Sequence, residues 1–323
     1  MQPLKTEQPD PDAPRMPIHH LDDLWFQVTG TLCNLECNHC FNNSGPNNRT
    51  FDMMDPETIR NYLEQSKDYA VKQYYFTGGE PFLHPDMNKI LAEALKRGPS
   101  TVLTNATAFN EDTLNGLADL FHNSRYSLEI RVSIDGFTPE TNDPIRGEGT
   151  FDRALEGVKN LVERGLLPII TATRTWDINE DPEILEGFRE TLREIGYQRP
   201  RIKLLPSLKI GREQERSEGY HPTEKVTHSM MKDLENDHFL CSNARLITDR
   251  GIWACPILVL HNEAKVGDTL EEAMKPISLG FDACYTCYQF GQLCSNMPSG
   301  EYSTESSEST PESEQPAESV QAL

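Results

Sequence analysis

Residues 24–41 read LWFQVTGTLCNLECNHCF. The first six form an apolar and aromatic run of strand length, and the rest sets Cys33, Cys37 and Cys40 in a CxxxCxxC array on one short loop. Three closely spaced thiols are a metal-binding pattern. A closed structural zinc or four-iron site normally takes four protein ligands, and the next cysteine, Cys241, is far down the chain. One metal position is therefore expected to stay open. An open iron on a four-iron, four-sulfur cluster can chelate a small molecule and pass it an electron. A zinc knuckle is the bland alternative for the same cysteines.

Outward from this loop the chain alternates strand and helix patterns. Strands are expected at 24–29, 73–77, 100–104, 127–135, 166–174 and 201–206, and helices at 54–70, 84–98, 110–123, 150–165 and 181–196. Asp55 followed by Pro56 is a helix start, and Gly98 is a helix stop. Six strands separated by amphipathic helices require a parallel sheet with right-handed crossovers, so residues 21–206 are read as an α/β unit, a partial (β/α)6 TIM-like barrel. In such a barrel the chemistry sits at the carboxyl ends of the strands.

Several polar motifs fall at those ends. Gly78-Gly79-Glu80-Pro81 follows the second strand, where glycines leave the backbone bare to a ligand and Glu80 can accept from an ammonium group. Thr104-Asn105 follows the third strand, and Ser133 and Asp135 end the fourth, all suited to ribose hydroxyls and equally to turns or caps. Arg146 lies in NDPIRG just ahead of a helix.

The cysteine array together with GGEP resembles the signature of the radical S-adenosylmethionine (SAM) superfamily. The resemblance implies a [4Fe–4S] cluster on Cys33, Cys37 and Cys40 whose open iron chelates SAM and whose electron cleaves it to a 5′-deoxyadenosyl radical. It also implies that Gly78, Gly79, Glu80 and Pro81 bind the methionine amino group, that Thr104, Asn105, Ser133 and Asp135 contact ribose, and that Arg146 pairs with the SAM carboxylate. Relatives often carry HDxxR at the last place, and Asn142 stands here for the histidine. His39 holds a position that is often aromatic and is expected to touch adenine mainly through its backbone.

Beyond Pro206, residues 207–239 are polar and read as a connector with one short helix near 223–235. Cysteines then return in residues 240–297, an expected small cysteine-rich α+β unit. Cys241 and Cys255 flank RLITDRGIWA, a hairpin pattern turning at Asp249-Arg250-Gly251, and Cys284 and Cys287 form a CxxC with Cys294 close behind. Four thiols suit zinc or an iron–sulfur cluster, and the spacing does not separate the two. Beside a radical SAM core the arrangement resembles a twitch or truncated SPASM domain, which implies an auxiliary [4Fe–4S] cluster, with Cys294 a rival fifth ligand. A full SPASM domain has seven cysteines and two auxiliary clusters, whereas Cys294 is followed here by SNMP. In cysteine count the pattern resembles single-auxiliary-cluster dehydrogenases of antibiotic biosynthesis, which implies loss of a substrate hydrogen atom and transfer of one further electron to the second cluster.

The chain has 323 residues and 51 acidic against 30 basic side chains, a net charge of −21, so a basic track for nucleic acid is not available. No apolar run has spanning length and the start is polar, so neither a membrane span nor a signal peptide is expected and a cytoplasmic location is. Residues 1–20 are proline-rich and read as a disordered lead, and residues 298–323 as a disordered acidic tail. Two function classes remain. One is an oxidoreductase acting on a small metabolite or a peptide residue, served by a reductant such as flavodoxin or ferredoxin, with a peptide maturase forming a cross-link or epimer as its variant. The other is a non-catalytic iron–sulfur or zinc protein. The lead is too short for the winged-helix-like recognition domain of many peptide-modifying relatives, which leans slightly away from leader-peptide modification. The nine histidines form no convincing ligand pair, and no general base is assigned.

Overall fold

The computed structural model describes residues 8–293, apart from 233, 235 and 236. Cys294 and the acidic tail lie outside the described residues, as do residues 1–7 of the lead. Six parallel strands build the expected barrel wall: β2 (Asp23–Gln27), β3 (Gln73–Thr77), β4 (Ser100–Thr104), β5 (Leu128–Ser133), β6 (Ile169–Thr173) and β7 (Arg201–Leu205), each hydrogen-bonded to the next. Between them run α1 (Pro56–Gln65), α2 (Met87–Ala94), α3 (Glu111–Asn123), α4 (Pro139–Arg146), α5 (Thr150–Glu163) and α6 (Asp181–Glu194). Asp55 caps α1 as its sequence requires, accepting from the amides of Glu57 and Thr58. All five residues of β2 are buried, which fits a central parallel strand covered on both faces. Its register sets Trp25 opposite Tyr75, with rings stacked at 4.1 Å, and Phe26 opposite Phe76 at 5.5 Å. Such cross-strand aromatic pairs each add about 0.5–1.5 kcal/mol beyond their buried area.

The sheet does not end with the barrel. The expected hairpin forms as β8 (Ala244–Thr248) and β9 (Gly251–Trp253), and β8 lies parallel to β2 on the side away from β3, with Asp23 opposite Ala244. With β10 (Lys265–Gly267) the sheet has nine strands in the order β10-β9-β8-β2-β3-β4-β5-β6-β7. The hairpin flanked by Cys241 and Cys255 is thus hydrogen-bonded into the same sheet as β2, the strand that leads into the first cysteine loop.

Two expectations are corrected. The described part of the lead is not disordered: β1 (Arg15–Met16) pairs with β11 (Ile277–Ser278), and Met16 and Ile18 are buried. Prolines exclude a helix but leave extended pairing available, and apolar residues two apart point to one face. The connector's helix is α7 (Arg212–Ser217); among the described residues of 223–235 there are only turns and irregular backbone. Glu213 of α7 is buried and holds Arg216 at 2.6 Å, a lock local to that helix. The chain then adds α8 (Leu270–Ala273) and α9 (Ala283–Phe290), the latter carrying Cys284 and Cys287 three residues apart on one face. No helix among the described residues is long and apolar enough to cross a membrane.

Candidate active site

The loop after β2 and the ends of β3 to β7 enclose a cavity of ≈ 230 Å³. Cys33, Cys37 and Cys40 line it, with His39, Gly78, Gly79, Thr104, Asn105, Ser133 and Arg146 among the expected site residues. The cysteine loop is pinned from three sides. The amide of Glu80 donates to Leu32 O (3.0 Å), Asn38 donates to Ile145 O and Pro144 O (2.8 Å each) at the end of α4, and Arg212 reaches over from α7. Arg212 Nε donates to Cys37 O at 2.7 Å and Nη2 to Ser44 O at 2.6 Å, while its own amide donates to Cys40 O.

The diglycine owes its place to this loop as well. A Cβ on Gly79 would stand 2.1 Å from Leu32 O, and one on Gly78, whose φ is +152°, would stand 2.2 Å from Thr29 Oγ1. Only glycine lets the end of β3 approach the cysteine loop so closely.

Glu80, Pro81 and Asp135 are brought to the site but do not line the cavity. Glu80 is fully buried, and its carboxylate accepts from the Thr104 hydroxyl (2.7 Å), Asn105 N (2.7 Å) and Phe82 N (3.0 Å). Burial pushes this carboxyl up to about 6 against those donors, which pull it down. These bonds fix the end of β4 and with it the backbone of Asn105. Asp135 is equally buried and binds His39 Nε2 at 2.8 Å, Arg146 Nε at 2.6 Å and Thr173 N at 2.7 Å. Burial opposes its charge, but Arg146 and then His39 override this and hold it well below the usual carboxylate range. Asp135 thus stands in close ion-pair contact with two cavity-lining side chains, Arg146 and His39. Asn142, at the position of the family's histidine, accepts from Asp135 N (3.1 Å) and donates to Thr150 and Asp143. Ser133 keeps its place at the cavity wall, 3.4 Å from Thr171 Oγ1.

The donor set fits a thiolate-bound cluster. Burial pushes Cys33 up to about 12 and Cys37 up to about 11, so the thiols ionise only when a cation takes the place of their protons. Leu35 N and Asn105 Nδ2 point at Cys33 Sγ, at 3.4 and 3.7 Å, as a bound sulfur needs. His39 Nδ1 is buried beside the cavity without a hydrogen-bond partner.

The second group converges too. Cys241, Cys255, Cys284 and Cys287 are each at least nine-tenths buried and line one apolar cavity with Phe239, Leu240, Ile257 and Leu258. Among the described residues no cysteine forms a disulfide, and no three His, Cys, Asp or Glu side chains converge as they would around a single ion. Pro256 and Leu293 of this C-terminal part reach the wall of the first cavity.

Four residues escape a motif-based reading. Arg131 on β5 and Thr171 and Thr173 on β6 line the cavity, and Arg212 clamps the loop from the connector. A charged residue in the strand LEIRVS was the one available signal for Arg131.

Comparison with known proteins settles the family. The Radical SAM superfamily profile matches residues 28–192, just over half of the chain. The chain belongs to the radical SAM superfamily. It is 28% identical over 171 residues to the antilisterial bacteriocin subtilosin biosynthesis protein AlbA of Bacillus subtilis, covering 51% of this chain and 36% of that protein. It is 26% identical over 167 residues to the mycofactocin maturase MftC of Mycobacterium tuberculosis, covering 50% of this chain and 41% of that one. The chain thus matches well under half the length of these curated relatives. Among solved structures, SuiB of Streptococcus suis bound to its precursor peptide SuiA superposes with a TM-score of 0.58 at 18% identity over 79% of this chain and 65% of SuiB. The anSMEcpe structure with bound AdoMet gives 0.57 at 15% identity, covering 78% of this chain and 79% of that one. These structural likenesses establish the fold, the partial barrel expected from the strand count. As a radical SAM protein the chain binds a [4Fe–4S] cluster and SAM, and the expected auxiliary cluster agrees with the convergence of the C-terminal thiols.

Proposed function

We propose that this radical SAM enzyme modifies a residue of a peptide held in the cavity between the cysteine loop and the strand ends. The observation that carries the proposal is that one cavity is lined at once by the three thiols, by the ends of β3 to β7 and by Pro256 and Leu293 of the C-terminal part. When bound, the cluster and SAM supply a 5′-deoxyadenosyl radical, which removes a hydrogen atom from the substrate. The chain's own residues do the rest. Arg146 and His39, held by Asp135, present cationic and imidazole edges to one end of SAM, and Asn105, its backbone fixed by Glu80, presents an amide. Leu35, Phe41, Leu103 and Leu208 keep water from the reacting carbon, while Arg131 and Thr171 offer polar contacts to the substrate deeper in the barrel.

A peptide is favoured over a small metabolite because AlbA is a bacteriocin biosynthesis protein, MftC is a maturase, and SuiB is solved with a precursor peptide. This reverses the slight lean that the short lead gave. Net oxidation requires one electron to leave the substrate after the hydrogen atom, and the four C-terminal thiols are the chain's place for an acceptor. Formation of a cross-link or epimer is the alternative outcome at the same residue. A flavodoxin- or ferredoxin-type donor and a cytoplasmic setting complete the proposal.

The test is isotopic. Reconstituted enzyme, SAM and dithionite are incubated with the peptide fraction and, separately, the small-molecule fraction of a fully deuterated bacterial lysate. Deuterium appearing in 5′-deoxyadenosine from the peptide fraction alone supports the proposal; transfer from the small-molecule fraction alone contradicts it.

A further inference from the structure

Arg245 on β8 is fully buried beside the second group of thiols, and every hydrogen bond it makes is to a backbone carbonyl. Nε donates to Ala273 O (2.8 Å), Nη1 to Cys241 O (2.8 Å), Ala244 O (2.7 Å) and Ala254 O (3.4 Å), and Nη2 to Lys275 O (3.0 Å). No Asp or Glu among the described residues pairs with it. The ionisable groups that bear on it are Cys241 and Cys255, whose thiolate forms would favour its charge. Carbonyl dipoles solvate a guanidinium without neutralising it, and a buried charge is retained in proteins where an opposite charge or a metal centre balances it. Arginine cannot shed its proton to escape that requirement.

The balancing charge is available in one place. Cys241, Cys255, Cys284 and Cys287 line a cavity whose other walls are apolar apart from Ser278, so as neutral thiols they leave Arg245 uncompensated. As four thiolates around an iron–sulfur core they form a net-negative centre, whose one-electron reduction adds a further negative charge. We propose that Arg245 is the built-in counter-charge of an iron–sulfur centre on Cys241, Cys255, Cys284 and Cys287, and that it raises the reduction potential of that centre. This rests on assigning the four-thiol site to iron and sulfur. A fixed positive charge in a low-dielectric surrounding stabilises the more negative, reduced form, and so suits the site to taking up one electron. Such a charge also binds the hairpin's fold to the loaded state, because Arg245 joins β8 to the carbonyl of Ala273, the last residue of α8, and to that of Lys275 beyond it.

The test is the midpoint potential of this centre in the full chain carrying both clusters. Paramagnetic resonance is followed through a redox titration; the signal that moves when SAM is added belongs to the first cluster, and the one that stays belongs to the second. Arg245→Gln is expected to shift the second potential downward and leave the first unchanged, while Arg245→Lys, which keeps the charge, stays near the parent. An unshifted second potential in folded Arg245→Gln overturns the proposal, as does a second site that fills with zinc and no iron. If the Gln chain does not fold, the Lys chain decides. Lysine keeps the charge but donates to at most three carbonyls. A parental potential with retained iron therefore supports a charge effect, and a fall in potential overturns it. Because this reading needs no SAM cleavage and no substrate, it can fail while the proposed peptide chemistry stands, and the converse holds.

Discussion

At the level of single residues, the site is governed by buried charge and by close approach. Asp23, at the start of β2, is buried next to Asp22, and burial first and then that neighbour push it up to about 7. A carboxyl raised from 3.8 in the unfolded chain to about 7 in the folded one favours folding below 3.8, and that benefit is lost as pH rises through about 7. Asp23→Asn is therefore expected to stabilise the chain at pH 8 by up to about 4 kcal/mol and to change little at pH 4, as thermal unfolding at the two pH values will show. A melting temperature lowered at pH 8 would contradict this. Gly79→Ala places a Cβ against the carbonyl of Leu32, and displacing backbone in this way costs about 1–3 kcal/mol. Its expected result is a folded barrel that holds fewer irons per chain, checked by circular dichroism and iron analysis. The motif letters were legible at this scale; their partners were not. That Glu80 serves Thr104 and Asn105, and Asp135 serves His39 and Arg146, depends on contacts between strand ends that sequence order does not display.

At the level of elements, period and caps specified the barrel well. The strands at 73–77 and 100–104 coincide with β3 and β4, and Asp55-Pro56 starts α1 as its capping chemistry demands. Helix α4 was not expected, because PETNDPIR is short, polar and carries Pro144. What holds it is tertiary: its last carbonyls receive Asn38 of the cysteine loop. The strap around α7 was equally hidden, since Gly211 (φ +64°) and Arg212 acquire meaning only against Cys37, Cys40 and Phe41. Two charge-assisted bonds from Arg212 to loop carbonyls are worth enough that Arg212→Ala should raise the rate of iron loss to a chelator roughly tenfold. An unchanged rate would assign the clamp no part in holding the cluster loop.

For the whole molecule, the deciding feature is that one sheet joins β2, which leads into the first cysteine loop, to the hairpin flanked by Cys241 and Cys255. Parallel pairing of β8 with β2 could not be read from sequence, because a parallel partner leaves no local turn signal and these two strands are joined by the entire barrel. Pairing at that distance ties the hairpin between Cys241 and Cys255 to the strand that leads into the first cysteine loop. Chelation of both metal sites is accordingly expected to lower the melting temperature of the chain as a whole, since β8, β9 and β10 share the barrel's sheet. Two separate transitions, with the barrel unaffected, would argue against that coupling. The most direct test of the catalytic assignment is the yield of 5′-deoxyadenosine from anaerobically reconstituted protein given SAM and dithionite, measured beside Cys37→Ala. The parent is expected to produce it, and the variant to lose it while keeping the iron of its C-terminal thiols. Equal yields from the two chains would contradict the assignment of Cys33, Cys37 and Cys40 as the SAM-cleaving site.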